Sequence, residues 1–216
     1  MDQLQPRLDI LPALQRKVWN ELGEIPSDFI LYGGTAIALH LGHRASKDFD
    51  FFGWRNFAPL DFAASLSLLD GGIVLQSEPN TLTVSIDRGG PVKLSFFGVP
   101  RLKKIKPPLF AQNGGLRIAS LLDLAATKLV AIQQRVEPKD YIDLAAIMST
   151  RFVSLPEALS AAQHVYGPLF SPQNALKALS FFGEDELQQL PESLKQNIVS
   201  KVKAVDLSKL PKLEVT

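Results

Sequence analysis

The sequence predicts an α/β (α+β) protein: a mixed β-sheet core flanked by helices, followed by a helical C-terminal half. Three observations carry that prediction. Short apolar runs of strand length fill the first half, glycine and proline punctuate them, and after about residue 117 the apolar positions fall at helical spacing. The change divides the chain into a core with an N-terminal helix over residues 1–117 and a helical region over 118–216, expected to pack on that core.

In order, LQPRLDILPALQRKVWNEL (4–22) places Leu14, Val18 and Leu22 on one stripe and predicts an opening helix. After the Gly23–Pro26 break, DFILY (28–32) reads as a buried strand, and Gly33-Gly34 turn the chain into the short helix TAIALHL. DFDFF (48–52) is a second strand and PLDFAASLSLL (59–69) a helix. GGIVLQSE, TLTVSID and PVKLSFFGV are three further strands, the last two joined by an RGG hairpin turn that Asp87 is expected to serve. Helices are predicted for SLLDLAATKLVAIQQR, PKDYIDLAAIM and LPEALSAAQHVY. Ser120 with Asp123 forms a capping-box-like start for the first of these, and Pro138 suits the first position of the second.

The composition excludes several functions. With 216 residues, 46% apolar and 21% charged, the chain can bury a substantial core and does not read as disordered. A net charge of +1 gives no blanket attraction to nucleic acid. Cysteine is absent and only three histidines are present, so neither a thiolate site nor a zinc cluster is expected, and carboxylates are the available metal ligands. No apolar run reaches membrane-spanning length and MDQLQPRLDI does not read as a signal peptide, so a cytoplasmic protein without a membrane partner is expected. Neither a P-loop nor a GxGxxG turn occurs.

The chemistry concentrates in LYGGTAIALHLGHRASKDFDFF, residues 31–52. Residues two apart on a strand share a side, so Asp48 and Asp50 present paired carboxylates while Phe49 and Phe51 enter the core. Two hard oxygen ligands suit Mg²⁺ or Mn²⁺, which completes its shell with water and substrate phosphates. A glycine pair at a strand-to-helix turn lets backbone N–H groups approach a phosphate, with the helix N-terminus adding favourable dipole charge. Taken singly, a GG pair is a common turn and an acidic pair on a strand is commonly solvated. Together, in the order strand, GG, helix, loop, D-x-D strand, they point to phosphoryl or nucleotidyl transfer.

GGTAIALHLGHRASKDFDFF closely resembles the AbiEii/AbiGii toxin-like members of the nucleotidyltransferase superfamily, and KLVAIQQRVEPKDYIDL resembles that family's second motif. The two bracket residues 33–143. The resemblance implies the nucleotidyltransferase fold, with Asp48 and Asp50 as metal-binding catalytic acids and Gly33, Gly34 and Thr35 holding phosphate oxygens. It also implies that Lys128 contacts the nucleotide phosphates and that Asp143 belongs to the active site, with Asp140 and Lys139 as further members of the motif. Arg44 and Ser46, on the loop before the acids, are candidates for the nucleotide mouth, as is Lys47; an exposed loop is the alternative. The implied setting is a toxin of a toxin–antitoxin or phage-defence pair, with a nucleoside triphosphate as substrate, a tRNA-like RNA as acceptor and a cognate antitoxin as partner.

Read from spacing alone, Lys128 and Arg135 lie at i and i+7 on one helix face and want an anion, while Asp140 and Asp143 share a face of the next helix. A short antiparallel connection could bring the acids toward Lys128, and an ordinary ion-pair array remains the alternative. One position departs from the superfamily pattern: where many members carry a third carboxylate on a later strand, this chain has Ser95, a poor ligand and no base at neutral pH. The expected reaction is metal-dependent transfer of a nucleoside monophosphate to a hydroxyl. The alternative is a nucleotide-binding sensor of the same fold with weakened catalysis. His40 and His164 lack spaced partners and are expected to be structural; RLKKIK (101–106) reads as an edge or linker that could also touch RNA, and Trp54 as a packed residue that could also stack on a base.

Overall fold

The structure is a computed structural model that describes residues 2–112 and 115–213. The chain forms two units, Met1–Leu102 with Pro108–Ala119, and Lys103–Pro107 with Ser120–Thr216.

The first unit is built on an eight-stranded mixed sheet in the order β1-β7-β8-β2-β3-β6-β5-β4. Its elements run β1 (Gln3–Leu4), α1 (Ala13–Trp19), β2 (Phe29–Tyr32), α2 (Gly33–Leu41), β3 (Phe49–Gly53), α3 (Pro59–Ala64), β4 (Ile73–Glu78), β5 (Thr81–Asp87), β6 (Pro91–Gly98), β7 (Leu109–Ala111) and β8 (Arg117–Ile118). β2 and β3 pair antiparallel, β3 and β6 parallel, and β4, β5 and β6 form an antiparallel meander. All five strands expected in this half are present. At the RGG turn, the Asp87 carboxylate accepts the N–H groups of Gly89 and Gly90 at 2.8 Å each, which holds it below its ordinary range.

One face of the sheet carries an aromatic core. Phe49, Phe51, Leu82, Val84, Leu94 and Phe96 are all at most 1% exposed, and Phe51 stacks on Phe96 with centroids 5.2 Å apart. Phe62 of α3 adds its ring edge-on to Phe96 at 5.0 Å and lies 4.8 Å from Phe29. The alternation in DFDFF therefore does what period two dictates: Phe49 and Phe51 face the core, while Asp50 and Phe52, the latter stacked on Tyr32, face the other side.

Three features differ from the sequence reading. The expected opening helix is split, because Pro6 and Pro12 interrupt the backbone hydrogen-bond ladder: Leu8–Ile10 is one 3-10 turn, α1 begins only after Pro12, and Leu22 sits in a second short turn. The strand of the D-x-D motif starts at Phe49, so Asp48 precedes it. The two- and three-residue strands β1, β7 and β8 were not expected, since runs so short carry no periodicity; they are specified by their sheet partners.

The second unit is helical: α4 (Leu121–Gln134), α5 (Pro138–Met148), α6 (Leu155–Tyr166), α7 (Pro172–Ser180), α8 (Asp185–Gln188) and α9 (Glu192–Lys203). α4 packs against α5, α6 and α7, burying Leu124, Ala125, Ala126 and Leu129 completely. Ser120 caps α4 by accepting the Asp123 N–H, as its spacing predicts. The Asp123 carboxylate accepts the Ser120 hydroxyl at 2.6 Å and, from the RLKKIK segment, the N–H groups of Ile105 and Lys106 at 2.8 and 3.1 Å. With Ile105 fully buried, that run is anchored through its backbone, while the side chains of Arg101, Lys103 and Lys106 stay exposed. α6 begins at a reciprocal capping box between Ser154 and Glu157. Among the described residues, no helix is long and apolar enough to cross a membrane.

Candidate functional site

The first cluster forms where β2 hands the chain to α2. Gly33 adopts φ +72°, a left-handed conformation that side-chain-bearing residues rarely hold, and α2 starts on it without a capping side chain from Tyr32. The glycine has a second cause. A methyl group added there would stand 2.6 Å from Oδ2 of Asp50, so any side chain would force the carboxylate to shift. Asp50 lies opposite Tyr32 on β2 and opposite Ser95 on β6. The turn and the second aspartate are thus in direct apposition, with Gly34 following half-exposed in the first turn of α2.

Gly33→Ala is expected to cost about 1–2 kcal/mol from the left-handed backbone alone, and to push the Asp50 carboxylate aside. Urea unfolding should show the stability loss. Transfer activity should fall by more than that loss explains if the apposition is functional.

The loop between α2 and β3 is fixed from beneath. The Thr35 hydroxyl donates to the main-chain carbonyl of Asp48 and hydrogen-bonds the Ser46 hydroxyl at 2.9 Å. Gln15 of α1, 4% exposed, donates to the Lys47 carbonyl at 2.9 Å. Thr35 is itself 1% exposed, so its side chain positions the loop that carries Asp48. Ser46 is tied into the same contact, and the Arg44 guanidinium donates to the Ala45 carbonyl at 2.9 Å. His40 at the end of α2 hydrogen-bonds the Ala119 carbonyl through Nε2 at 2.9 Å, and burial holds its pKa below the ordinary histidine value. Trp54 donates its indole N–H to the Leu102 carbonyl at 2.6 Å and sits 6.0 Å from Tyr32.

Asp48 makes an ion pair that sequence reasoning missed, to Lys93 on β6 at 3.2 Å. Lys93 is two residues before Ser95, and Ser95 pairs with Asp50. Period-two alternation was the available signal: had β3 and β6 been known as neighbours, Lys93 would have been placed beside Asp48. Ser95 and its cross-strand partner Thr83 are 4% and 8% exposed. The polar face thus holds two partly exposed carboxylates, one lysine and a buried hydroxyl pair. Among the described residues no group of three or more histidine, cysteine or acidic side chains could hold a metal, and the acidic side chains on this face are those of Asp48 and Asp50. Mg²⁺ sites with one or two protein carboxylates normally complete their shell with water and substrate phosphates.

The second cluster lies in the helical unit. Lys128 of α4 is 8% exposed and places Nζ 2.7 Å from Asp140 Oδ1 and 2.7 Å from Asp143 Oδ2, both carboxylates on α5 and at most 1% exposed. Arg135 ends α4 in extended conformation, outside the helix face its spacing suggested, yet its Nε reaches Asp140 Oδ2 at 2.9 Å. The expected approach of the two acids to Lys128 is therefore present, as a balanced set of two cations and two carboxylates. Lys139 is on the first turn of α5, its N–H beside the Glu137 cap.

A mixed sheet in which strand, left-handed glycine turn, helix and acidic strand follow one another is the nucleotidyltransferase fold, and solved structures agree. The nucleotidyltransferase toxin MenT4 of Mycobacterium tuberculosis H37Rv superposes with a TM-score of 0.60 at 15% identity, over 89% of this chain and 84% of that one. A candidate nucleotidyltransferase of H. pylori, known from its crystal structure, gives 0.50 at 17% identity over 88% and 90%. The chain belongs to the family described as "Nucleotidyl transferase AbiEii toxin, Type IV TA system", which it matches over residues 20–210. It is also 32% identical over 173 residues to an uncharacterized protein of Aquifex aeolicus (strain VF5), spanning 79% of this chain and 81% of the relative.

Proposed function

We propose that this nucleotidyltransferase-family protein moves a nucleoside monophosphate from a nucleoside triphosphate to a hydroxyl acceptor, with RNA of tRNA type as the acceptor class, and that it acts as the toxin of a toxin–antitoxin or phage-defence pair held in check by a cognate antitoxin. The observation that carries the reading is the apposition of Gly33 and Asp50, where a Cβ would lie 2.6 Å from the carboxylate. A glycine so constrained brings a phosphate-accepting turn and an acidic metal ligand to one point.

In this reading Asp48 and Asp50 hold Mg²⁺ or Mn²⁺. The bound cation would neutralise charge on the triphosphate and at the transferred phosphorus. The chain's own work is orientation: Gly33 and Gly34 offer backbone N–H groups at the α2 N-terminus, and the buried Thr35 hydroxyl holds the loop that aims Asp48. Arg44 and Ser46 border the same loop as nucleotide contacts. By resemblance to the family's second motif, Lys128 would contact the phosphates and Asp143 would belong to the active site, and Arg135 would offer a second cation to the nucleotide.

A second reading is favoured by one observation. Ser95 stands beside Asp50 in the strand register and is 4% exposed, so the position that would carry a third carboxylate offers neither a base nor solvent access. That suits a nucleotide-binding sensor with weakened turnover. Both readings meet in one experiment: incubation with each α-³²P-labelled nucleoside triphosphate, Mg²⁺ and total cellular RNA, beside Asp48→Ala/Asp50→Ala. Label entering RNA only with the intact aspartates is the expected result. Nucleotide binding without transfer would hand the protein to the sensor reading.

A further inference from the structure

The inference rests on the reading of the Gly33–Asp50 site as a metal–nucleotide site, and it concerns Lys93, which that reading leaves without a role. We propose that Lys93 is the counter-ion of the site: it pairs with Asp48 before a divalent cation binds, and passes to a phosphate oxygen of the donor triphosphate once the cation takes Asp48. Cation and nucleotide would then load cooperatively.

The geometry gives Lys93 access to both positions. It pairs with Asp48 at 3.2 Å, and the two side chains are 42% and 49% exposed, so the contact is open to exchange. An exposed pair of this kind is worth at most about 1 kcal/mol and is easily displaced. The buried pairs of Lys128 contrast with it, their acids being at most 1% exposed. Along the same face of β6, Ser95 is buried beside Asp50, which leaves Lys93 as the residue of that row with both charge and solvent access. Its four-carbon stem lets the ammonium swing without moving the strand.

Electrostatics supplies the direction. Lys93 stands 3.2 Å from Asp48, the carboxylate that would take the cation. A divalent cation on the two carboxylates neutralises them and repels the ammonium beside it. A bound triphosphate restores an anion within the same small region, because the Gly33 turn abuts Asp50. Lys93 therefore opposes the cation when it arrives alone and favours the nucleotide when both are present, which is a coupling free energy between two ligands. A lysine that only paired with Asp48 would weaken cation binding without favouring the nucleotide.

Mn²⁺ as probe, followed by electron paramagnetic resonance with and without the α,β-methylene analogue of each nucleoside triphosphate, tests this on wild type, Lys93→Met and Lys93→Arg. Lys93→Met is expected to bind Mn²⁺ alone about twofold to fivefold more tightly, and the analogue in the presence of Mn²⁺ about tenfold more weakly. Lys93→Arg should recover analogue binding. A Met variant matching wild type in both affinities would overturn the role of Lys93 and leave the site reading standing. Weakened analogue binding with unchanged Mn²⁺ affinity would overturn the exchange and leave a simple phosphate contact. A wild-type protein that binds neither Mn²⁺ nor any analogue would overturn the site reading itself, and Lys93 with it.

Discussion

Asp50→Asn is expected to reduce nucleotidyl transfer roughly a thousandfold, about 4 kcal/mol of transition-state stabilisation, while stability changes by less than about 1 kcal/mol. The substitution keeps the shape that fits against Gly33 and removes the charge that would hold a cation. Asp50 lies between β2 and β6, opposite Tyr32 and Ser95, so its backbone is fixed by neighbours on both sides and the variant should fold. Single-turnover transfer beside a chemical unfolding curve separates the two effects. Near-wild-type turnover in a folded variant would remove the D-x-D pair from the chemistry and, with it, the nucleotidyl-transfer proposal.

Lys128→Met should destabilise the protein by about 3–5 kcal/mol, because it withdraws the ammonium from two carboxylates that are 1% and 0% exposed. The packing of the stem is kept, so the loss reports on charge. Arg135 still holds Asp140 at 2.9 Å from a largely exposed position, which moderates the effect on that acid. Adding Asp140→Asn and Asp143→Asn to the same chain should recover much of the loss, since amides cost far less to bury than carboxylates that have lost a cation. A single variant within 1 kcal/mol of wild type would show that the acids do not depend on Lys128. The proposed function has Lys128 contact nucleotide phosphates, so transfer by any Lys128 variant has to be measured at a temperature where that variant remains folded. Otherwise a stability loss would pass for a catalytic one.

The two clusters were legible to different degrees. GG and D-x-D could be read as a site because their residue types are constrained by local backbone: a left-handed turn wants glycine, and alternation sends Phe49 and Phe51 inward and the aspartates outward. The approach of Asp140 and Asp143 to Lys128 was legible because helical spacing and a short connection leave little freedom. Thr35 was read as a phosphate ligand from its place in the motif, and the structure places its hydroxyl on the Asp48 carbonyl and Ser46. Nothing local could have shown that bond, which spans a loop whose course is set by Gln15 from α1.

The sequence by itself determined the order of the principal elements, the start of α4 at the Ser120 cap, the hairpin at Arg88–Gly90, and which side chains of β3 enter the core. These follow from capping chemistry, turn conformations and the two periodicities, all properties of a few neighbouring residues. Only the tertiary structure decided that β6 lies beside β3, and therefore that Ser95 faces Asp50 and Lys93 reaches Asp48. The same holds for β1, β7 and β8, two or three residues long, whose backbone groups become strands only where a neighbouring edge offers partners. Strand adjacency is fixed by long-range hydrogen bonding and by burial of the Phe51–Phe96 core, quantities that no local stretch of sequence contains.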